Sequence, residues 1–289
     1  MLGFIDARAR RSVTGAGQTI KGEEELPLSA QYGPHERQGL DIYPARSRSG
    51  EPAPVLVFIY GGGWDSGNRS LYRFLGQAYA AKGFTVVVPD YRIYPEVRYP
   101  DFMEDAALAL KWVAENIGDH GGDAQCVHLM GHSAGAHIGA LLALDPSRLG
   151  AVDLSPTMFC SFTGIAGPYS FNPLEWDSTK HIFETAADID KARPIKHAHG
   201  SAPPMLLLHP VKDKTVYLEN SENLCKAITE AGGVAQHIAY PRVSHVSVIV
   251  SIAWPVRFLA PTFRDSLKFM RANNNASPAE ATATLSAFA

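Results

Sequence analysis

Cysteine is scarce in this chain, and its spacing suggests no special use. Cys126, Cys160 and Cys225 form an odd set with no close pair in the sequence, so neither a disulfide framework nor a zinc site is indicated. A reducing, cytoplasmic setting is expected, with all three thiols in the core. Long apolar runs are lacking as well. Segments such as 55–60 and 84–88 fall far short of the roughly 20 residues that cross a bilayer. Positions 1–18 carry Arg8, Arg10 and Arg11 without the apolar stretch of a secretory leader. Positive charge is not in surplus either: 26 Lys and Arg against 29 Asp and Glu give a formal net charge of −3. That balance disfavours partners that need many phosphates neutralised, so neither nucleic acid nor a membrane surface is an expected partner. No internal repeat and no Gly/Ser linker divides the sequence.

What is present is a regular alternation. Short β-branched runs at 39–43, 55–60, 84–88, 126–130, 162–166, 205–209 and 235–240 are separated by helix-period segments at about 69–82, 101–117, 134–144, 216–231 and 255–272. This alternation predicts an α/β protein with a mostly parallel central sheet and helices on both faces. We expect a single domain over 1–289, with a core at about 26–271. Residues 167–203 are too long for an ordinary connection and read as a short lid-like insertion. The tail, 272–289, is rich in Ala, Ser, Asn and Thr and is expected to fray.

Two motifs stand at strand ends. Gly131-His132-Ser133-Ala134-Gly135 follows the strand at 126–130 and precedes the helix at 134–144, which is the context that G-x-S-x-G requires. Flanking glycines relieve the crowding of a serine held in a sharp strand-to-helix turn, and the helix aims its first N–H groups at the same place. Tyr60-Gly61-Gly62-Gly63-Trp64 closes the strand at 55–60. Three glycines let backbone N–H groups turn toward a substrate, as an oxyanion requires.

With these motifs in family order, the chain resembles the α/β-hydrolase superfamily. It is most similar to the esterase branch holding hormone-sensitive-lipase-like carboxylesterases, BD-FAE-type esterases and kynurenine formamidase-like hydrolases. The resemblance covers roughly 38–262, through Asp41-Ile42-Tyr43, the Tyr60 to Trp64 loop, Pro89-Asp90-Tyr91-Arg92, the serine motif and Ala202-Pro203-Pro204. It departs at Tyr60, where the family usually has histidine, and at Pro210, where it usually has glycine.

A serine needs a base and a group that orients the base, and in this fold the chain order is Ser, acid, His. Asp213, in His209-Pro-Val-Lys-Asp213-Lys-Thr-Val216 after the strand at 205–209, matches the family's acid loop; a helix-capping role is compatible with that. Glu219 and Asp190 are weaker candidates, since neither follows a strand end. His245 follows the strand at 235–240 and is the expected base. His128 and His237 lie within strands, and His181, His197 and His199 fall in the insertion, where their spacing lacks the acid cluster that would suggest a metal.

The reading is a carboxylic ester hydrolase with catalytic Ser133, Asp213 and His245, oxyanion donors Gly62, Gly63 and Ala134, and pocket residues Trp64, His132, Pro168 and Tyr169. A tryptophan packed beneath the loop is an equal alternative for Trp64. Its partners would be a small ester, with short- to medium-chain acyl groups, and water; it needs no cofactor and no metal. Exposed helices beside the sheet allow a homodimer. An N-formyl or aryl amide hydrolase uses the same parts and stays open, as does a non-catalytic ligand-binding protein of this fold. A haloalkane dehalogenase is disfavoured by Ser133 in place of aspartate. A dinucleotide enzyme is disfavoured because Gly61-Gly62-Gly63 lacks the G-x-G-x-x-G spacing.

Overall fold

The computed structural model describes residues 26–46 and 50–274. Eight strands, β1 (Leu28–Gln31), β2 (Gly39–Tyr43), β3 (Ala53–Ile59), β4 (Thr85–Pro89), β5 (Gly122–His132), β6 (Phe159–Ile165), β7 (Met205–Pro210) and β8 (Ala235–Tyr240), form one sheet. Its order is β1-β2-β4-β3-β5-β6-β7-β8. The β1–β2 and β2–β4 pairs are antiparallel and all others are parallel. The fold is that of the α/β-hydrolases. The helices are α1 (Arg73–Ala80), α2 (Asp101–Asn116), α3 (Ala134–Leu144), α4 (Pro146–Gly150), α5 (Asp177–Phe183), α6 (Glu219–Glu230), α7 (Ser247–Val250) and α8 (Thr262–Ala272). None of the described helices is long and apolar enough to cross a membrane.

The central strands are apolar at nearly every position because helices cover both faces. Val86, Val87 and Val88 of β4, and Leu206, Leu207 and Leu208 of β7, are all buried. Helix α3 is buried along its entire length, as a helix apolar on all sides must be. The edge strand β8 is only half-buried over most of its residues.

Several boundaries differ from the sequence reading. The helix at 69–82 is a 3-10 turn at 69–72 followed by α1, with Asn68 accepting a bond from the Ser70 N–H at 3.1 Å. The helix at 216–231 begins only at Glu219, since Asp213 holds the N–H groups of Thr215 and Val216 in a turn. The helix at 255–272 begins at Thr262, because Pro261 cannot continue a helix through its own position. Strand β1, too short and mixed to announce itself, was not foreseen.

The expected fraying tail holds differently at its start: Ala272 ends α8, and the Asn274 side chain lies 2.9 Å from His128 Nε2. Positions 275–289 and the leader question at 1–18 lie outside the described residues. The thiols also need correction. Cys160 and Cys225 are only partly buried, and Cys126 and Cys160, far apart in sequence, bring their sulfurs to 3.6 Å on neighbouring strands.

The insertion is more ordered than its weak pattern suggested. It carries α5 and 3-10 turns at 173–175, 189–192 and 194–197. His181 belongs to α5 and sets its ring 4.5 Å from the Tyr94 ring.

Glycine at two positions lets α3 seat against the sheet. A Cβ on Gly131 would lie 2.4 Å from the Gly135 carbonyl oxygen, and one on Gly135 would lie 2.1 Å from that of Ile59 and 2.4 Å from that of Tyr60. Backbone cannot yield as a side chain can. Gly135→Ala should therefore cost about 3 kcal/mol, the upper part of the overpacking range. Urea unfolding checks this, and a stability equal to the parent would contradict the packing described.

Candidate active site

Ser133 sits at the junction of β5 and α3 with φ 52 and ψ −121. A non-glycine residue adopts such a backbone only when its surroundings impose it. Here the Ser133 N–H donates to the Ile165 carbonyl at 2.9 Å, and its own carbonyl accepts from the His137 N–H at 3.1 Å. The side chain is thereby pointed outward at the C-terminal edge of the sheet.

His245 lies on the loop between β8 and α7, and Asp213 on the loop after β7. The Nε2 of His245 is 2.8 Å from Ser133 Oγ, and its Nδ1 is 2.7 Å from Asp213 Oδ2. Asp213 is held from behind as well. Its Oδ1 accepts the N–H groups of Thr215 at 2.9 Å and Val216 at 3.1 Å. Burial alone would raise its pKa, but the bonds from His245 and from these two N–H groups outweigh it and hold the carboxyl below its usual range. His209 stiffens the same loop: its Nε2 lies 2.9 Å from the Val216 carbonyl oxygen, and its Nδ1 lies 2.7 Å from Ser221 Oγ.

The glycine loop faces this serine. A Cβ on Gly61 would fall 2.8 Å from Ser133 Cβ. Gly62 at φ 135 and Gly63 at φ 60 make the turn, and a Cβ on Gly62 would strike the Ser66 carbonyl oxygen at 2.2 Å. The Gly62 carbonyl accepts from the N–H groups of Asp65 and Ser66 and from Ser66 Oγ. Among the described residues no hydrogen bond takes the N–H of Gly62, Gly63 or Ala134. Tyr60, where the family usually has histidine, anchors the loop from below. Its ring stacks on Tyr91 at 4.9 Å and on Tyr72 at 5.5 Å, and its hydroxyl donates to Asp90 at 2.6 Å.

The cavity around these groups has a volume of about 820 Å³. Of the expected pocket residues, His132, Trp64 and Pro168 line it. Trp64 also fulfils its packing alternative: it is almost wholly buried, parallel to Phe171 at 6.2 Å and edge-on to Phe183 and His137. Tyr169 is a correction. It is fully buried and is not part of the wall; its ring fills the space over Gly164 and Gly167, where a Cβ would approach the hydroxyl at 1.9 and 2.5 Å.

The wall holds residues that the sequence reading did not single out: Leu71, Tyr72 and Phe74 near α1, Phe171, Trp176 and Thr179 from the insertion, Tyr217 and Asn220 near α6, and Val246, Ile249 and Val250 near α7. Their scatter over four segments left no local signal. Asn220 was missed for the same reason, yet its Oδ1 accepts the N–H groups of Ser170 and Phe171 and so fixes the strap that carries Phe171. Glu219 and Asp190 do not reach the serine; Asp190 pairs with Arg193 and Lys196. No group of metal-binding side chains occurs among the described residues.

Comparison with known proteins points to esterases. Residues 40–154 match the BD-FAE family. The chain is 30% identical over 242 residues to the "Probable isoprenylcysteine alpha-carbonyl methylesterase ICME" of Oryza sativa subsp. japonica, covering 77% of this chain and 58% of that protein. It is also 30% identical over 244 residues to the "Esterase LipQ" of Mycobacterium tuberculosis, covering 78% of this chain and 58% of that one. The chain is thus similar to carboxylesterases, and its fold is the α/β-hydrolase fold they share. It spans 51–58% of the length of the five plant relatives it matches. Among solved carboxylesterase-like folds, a thermophilic esterase from Thermogutta terrifontis superposes with a TM-score of 0.71 at 23% identity, covering 84% of this chain and 91% of that one. A truncated carbohydrate esterase from gut microbiota superposes with a TM-score of 0.72 at 19% identity, covering 87% of this chain and 98% of that one.

Buried histidines give the family fold here a definite pH response. Burial pushes His128 and His137 down to about 4, and burial with the neighbouring His245 pushes His132 down to about 3. In the unfolded chain each would take up its proton near the ordinary value of about 6.5. The unfolded state therefore binds more protons as pH falls, and these groups withdraw stability from about pH 6.5 down to their folded pKa values. Urea unfolding at pH 7 and pH 5 should show a smaller unfolding free energy at pH 5, with proton uptake on unfolding; equal values would contradict the buried neutral state.

Proposed function

We propose that this protein is a serine hydrolase that cleaves carboxylic esters of short- to medium-chain acyl groups through an acyl-enzyme. The observation that carries the reading is the continuous contact from Ser133 Oγ to His245 to Asp213, at 2.8 and 2.7 Å. Ser133 Oγ attacks the ester carbonyl while His245 Nε2 takes its proton, and Asp213 keeps the imidazole oriented and stabilises its cationic form. Negative charge on the former carbonyl oxygen is met by the N–H groups of Gly62, Gly63 and Ala134. His245 then protonates the departing alcohol. Water enters, gives its proton to His245 and attacks the acyl group; the acid leaves and Ser133 is restored. The route consumes one ester and one water, and uses no cofactor or metal.

The cavity wall supports a neutral, largely apolar substrate. Among its lining residues there is no Lys or Arg, and Asp65 is its one carboxylate. An N-formyl amino-acid substrate of the kynurenine formamidase kind carries a free carboxylate, and no side chain here would pair with it. The esterase names of the curated relatives point the same way. The intact contact chain speaks against a purely ligand-binding role. The substrate and water are the proposed partners.

A fluorophosphonate should add once, on Ser133, as read by intact mass and peptide mapping. Ser133→Ala and His245→Ala should reduce turnover of p-nitrophenyl butyrate to a trace in folded protein, and Asp213→Asn should lower kcat by about 10⁴. A His245→Ala variant with parental activity would sink the assignment. Neutral butyryl esters should be cleaved at least about tenfold faster, by kcat/KM, than esters of similar size bearing a carboxylate on the acyl chain. The reverse order would remove the argument from the uncharged wall.

A further inference from the structure

His132, the variable residue of the serine motif, takes no part in the chemistry above, yet it is buried directly beside it. Its ring centroid is 5.0 Å from that of His245, and its Nε2 is 2.9 Å from the His245 carbonyl oxygen. We infer that His132 is a positioning residue for the reaction, a neutral donor that fastens the base-bearing loop to the nucleophile's own strand. This rests on the assignment of Ser133 and His245 made above.

Apart from Val243, which packs into the core, the loop that carries the base has few other ties. The hydrogen bonds described for 241–246 run within the loop and α7, through the ring of His245, and through His132. The bonds to Ser133 and Asp213 hold the His245 ring but leave freedom in the backbone that carries it. A second bond between the two same segments, from the residue before the serine to the backbone of the base itself, removes that freedom. A misplacement of about 1 Å at such a contact is enough to cost about 10² in rate.

The protonation of the ring follows from its partners. A carbonyl oxygen only accepts, so Nε2 carries the hydrogen. The other nitrogen, Nδ1, is buried without a partner. It lies beneath Gly61, where a Cβ would come within 3.0 Å of it, so glycine at 61 leaves room for the ring as well as for the serine. Burial keeps the ring uncharged. That matters for the reaction, because a cation at this distance would oppose the positive charge that His245 acquires in each half of the cycle.

The experiment compares His132→Met, which fills the space without a donor, with His132→Gln, whose amide nitrogen reaches about as far as the imidazole Nε2. With p-nitrophenyl butyrate, His132→Met should lose about 10- to 100-fold in kcat with KM within about twofold. His132→Gln should recover most of that loss. A kcat within twofold of the parent in His132→Met, or a Gln variant no better than Met, would overturn the inference. Absence of turnover and of a Ser133 adduct in the parent would instead overturn the hydrolase reading itself. Should His132→Met fail to fold, ¹⁵N NMR of the parent's histidines decides: Nε2 should carry the proton and Nδ1 should stay bare from pH 8 to pH 5. A ring protonated on Nδ1, or titrating within that range, would overturn the assignment.

Discussion

The arrangement depends on one unfavourable backbone conformation, that of Ser133 at φ 52. A residue with a Cβ is held in that region only when its neighbours leave no alternative, and here backbone packs closely around the turn. Gly131 and Gly135 let β5, β3 and the first turn of α3 approach to distances that a methyl group would forbid. The wholly buried α3 then fixes the turn from one side and the Ile165 carbonyl from the other. Everything else at the site is arranged around a serine that cannot relax inward.

Much of this was legible in the sequence, and for a physical reason. The parallel strands β3 to β7 are covered on both faces, so they read as short unbroken apolar runs, and the residues that carry chemistry follow their ends. Ser133, Asp213 and His245 each stand just past a strand, and that position, with the serine motif, the family's acid loop and the chain order, brought them into one set that the structure then joins. The cavity wall was not legible. Leu71, Phe171, Tyr217 and Val250 come from distant segments with no shared period, and only the folded chain puts them side by side. Tyr169 shows the opposite error: the family resemblance suggested the pocket, but glycine at 164 and 167 leaves a hollow that draws the ring into the core. The insertion was hard to read because its helices are short and punctuated by Pro173 and Pro194.

Electrostatics at the site are asymmetric. Asp213 is stabilised as an anion by donors from both its own loop and His245, whereas His132 and His209, close by, are kept neutral by burial. One carboxylate therefore faces one histidine able to become charged, with no competing cation nearby on the cavity wall. Under the proposed reading an ester would enter such a site as a neutral molecule. The acid would leave as an anion with no Lys or Arg on the wall to retain it, so the surface that accepts the substrate would also release the product.

The side chains of the proposed triad also differ in how firmly their surroundings are built. The serine stands on a helix buried along its whole length, while the base hangs from β8, a half-buried edge strand, and leads into α7, a helix of only four residues. Local opening starts where few apolar contacts are buried. The edge carrying His245 is thus less firmly held than the strand and helix that carry Ser133, and the base would lose its place before the central sheet is lost.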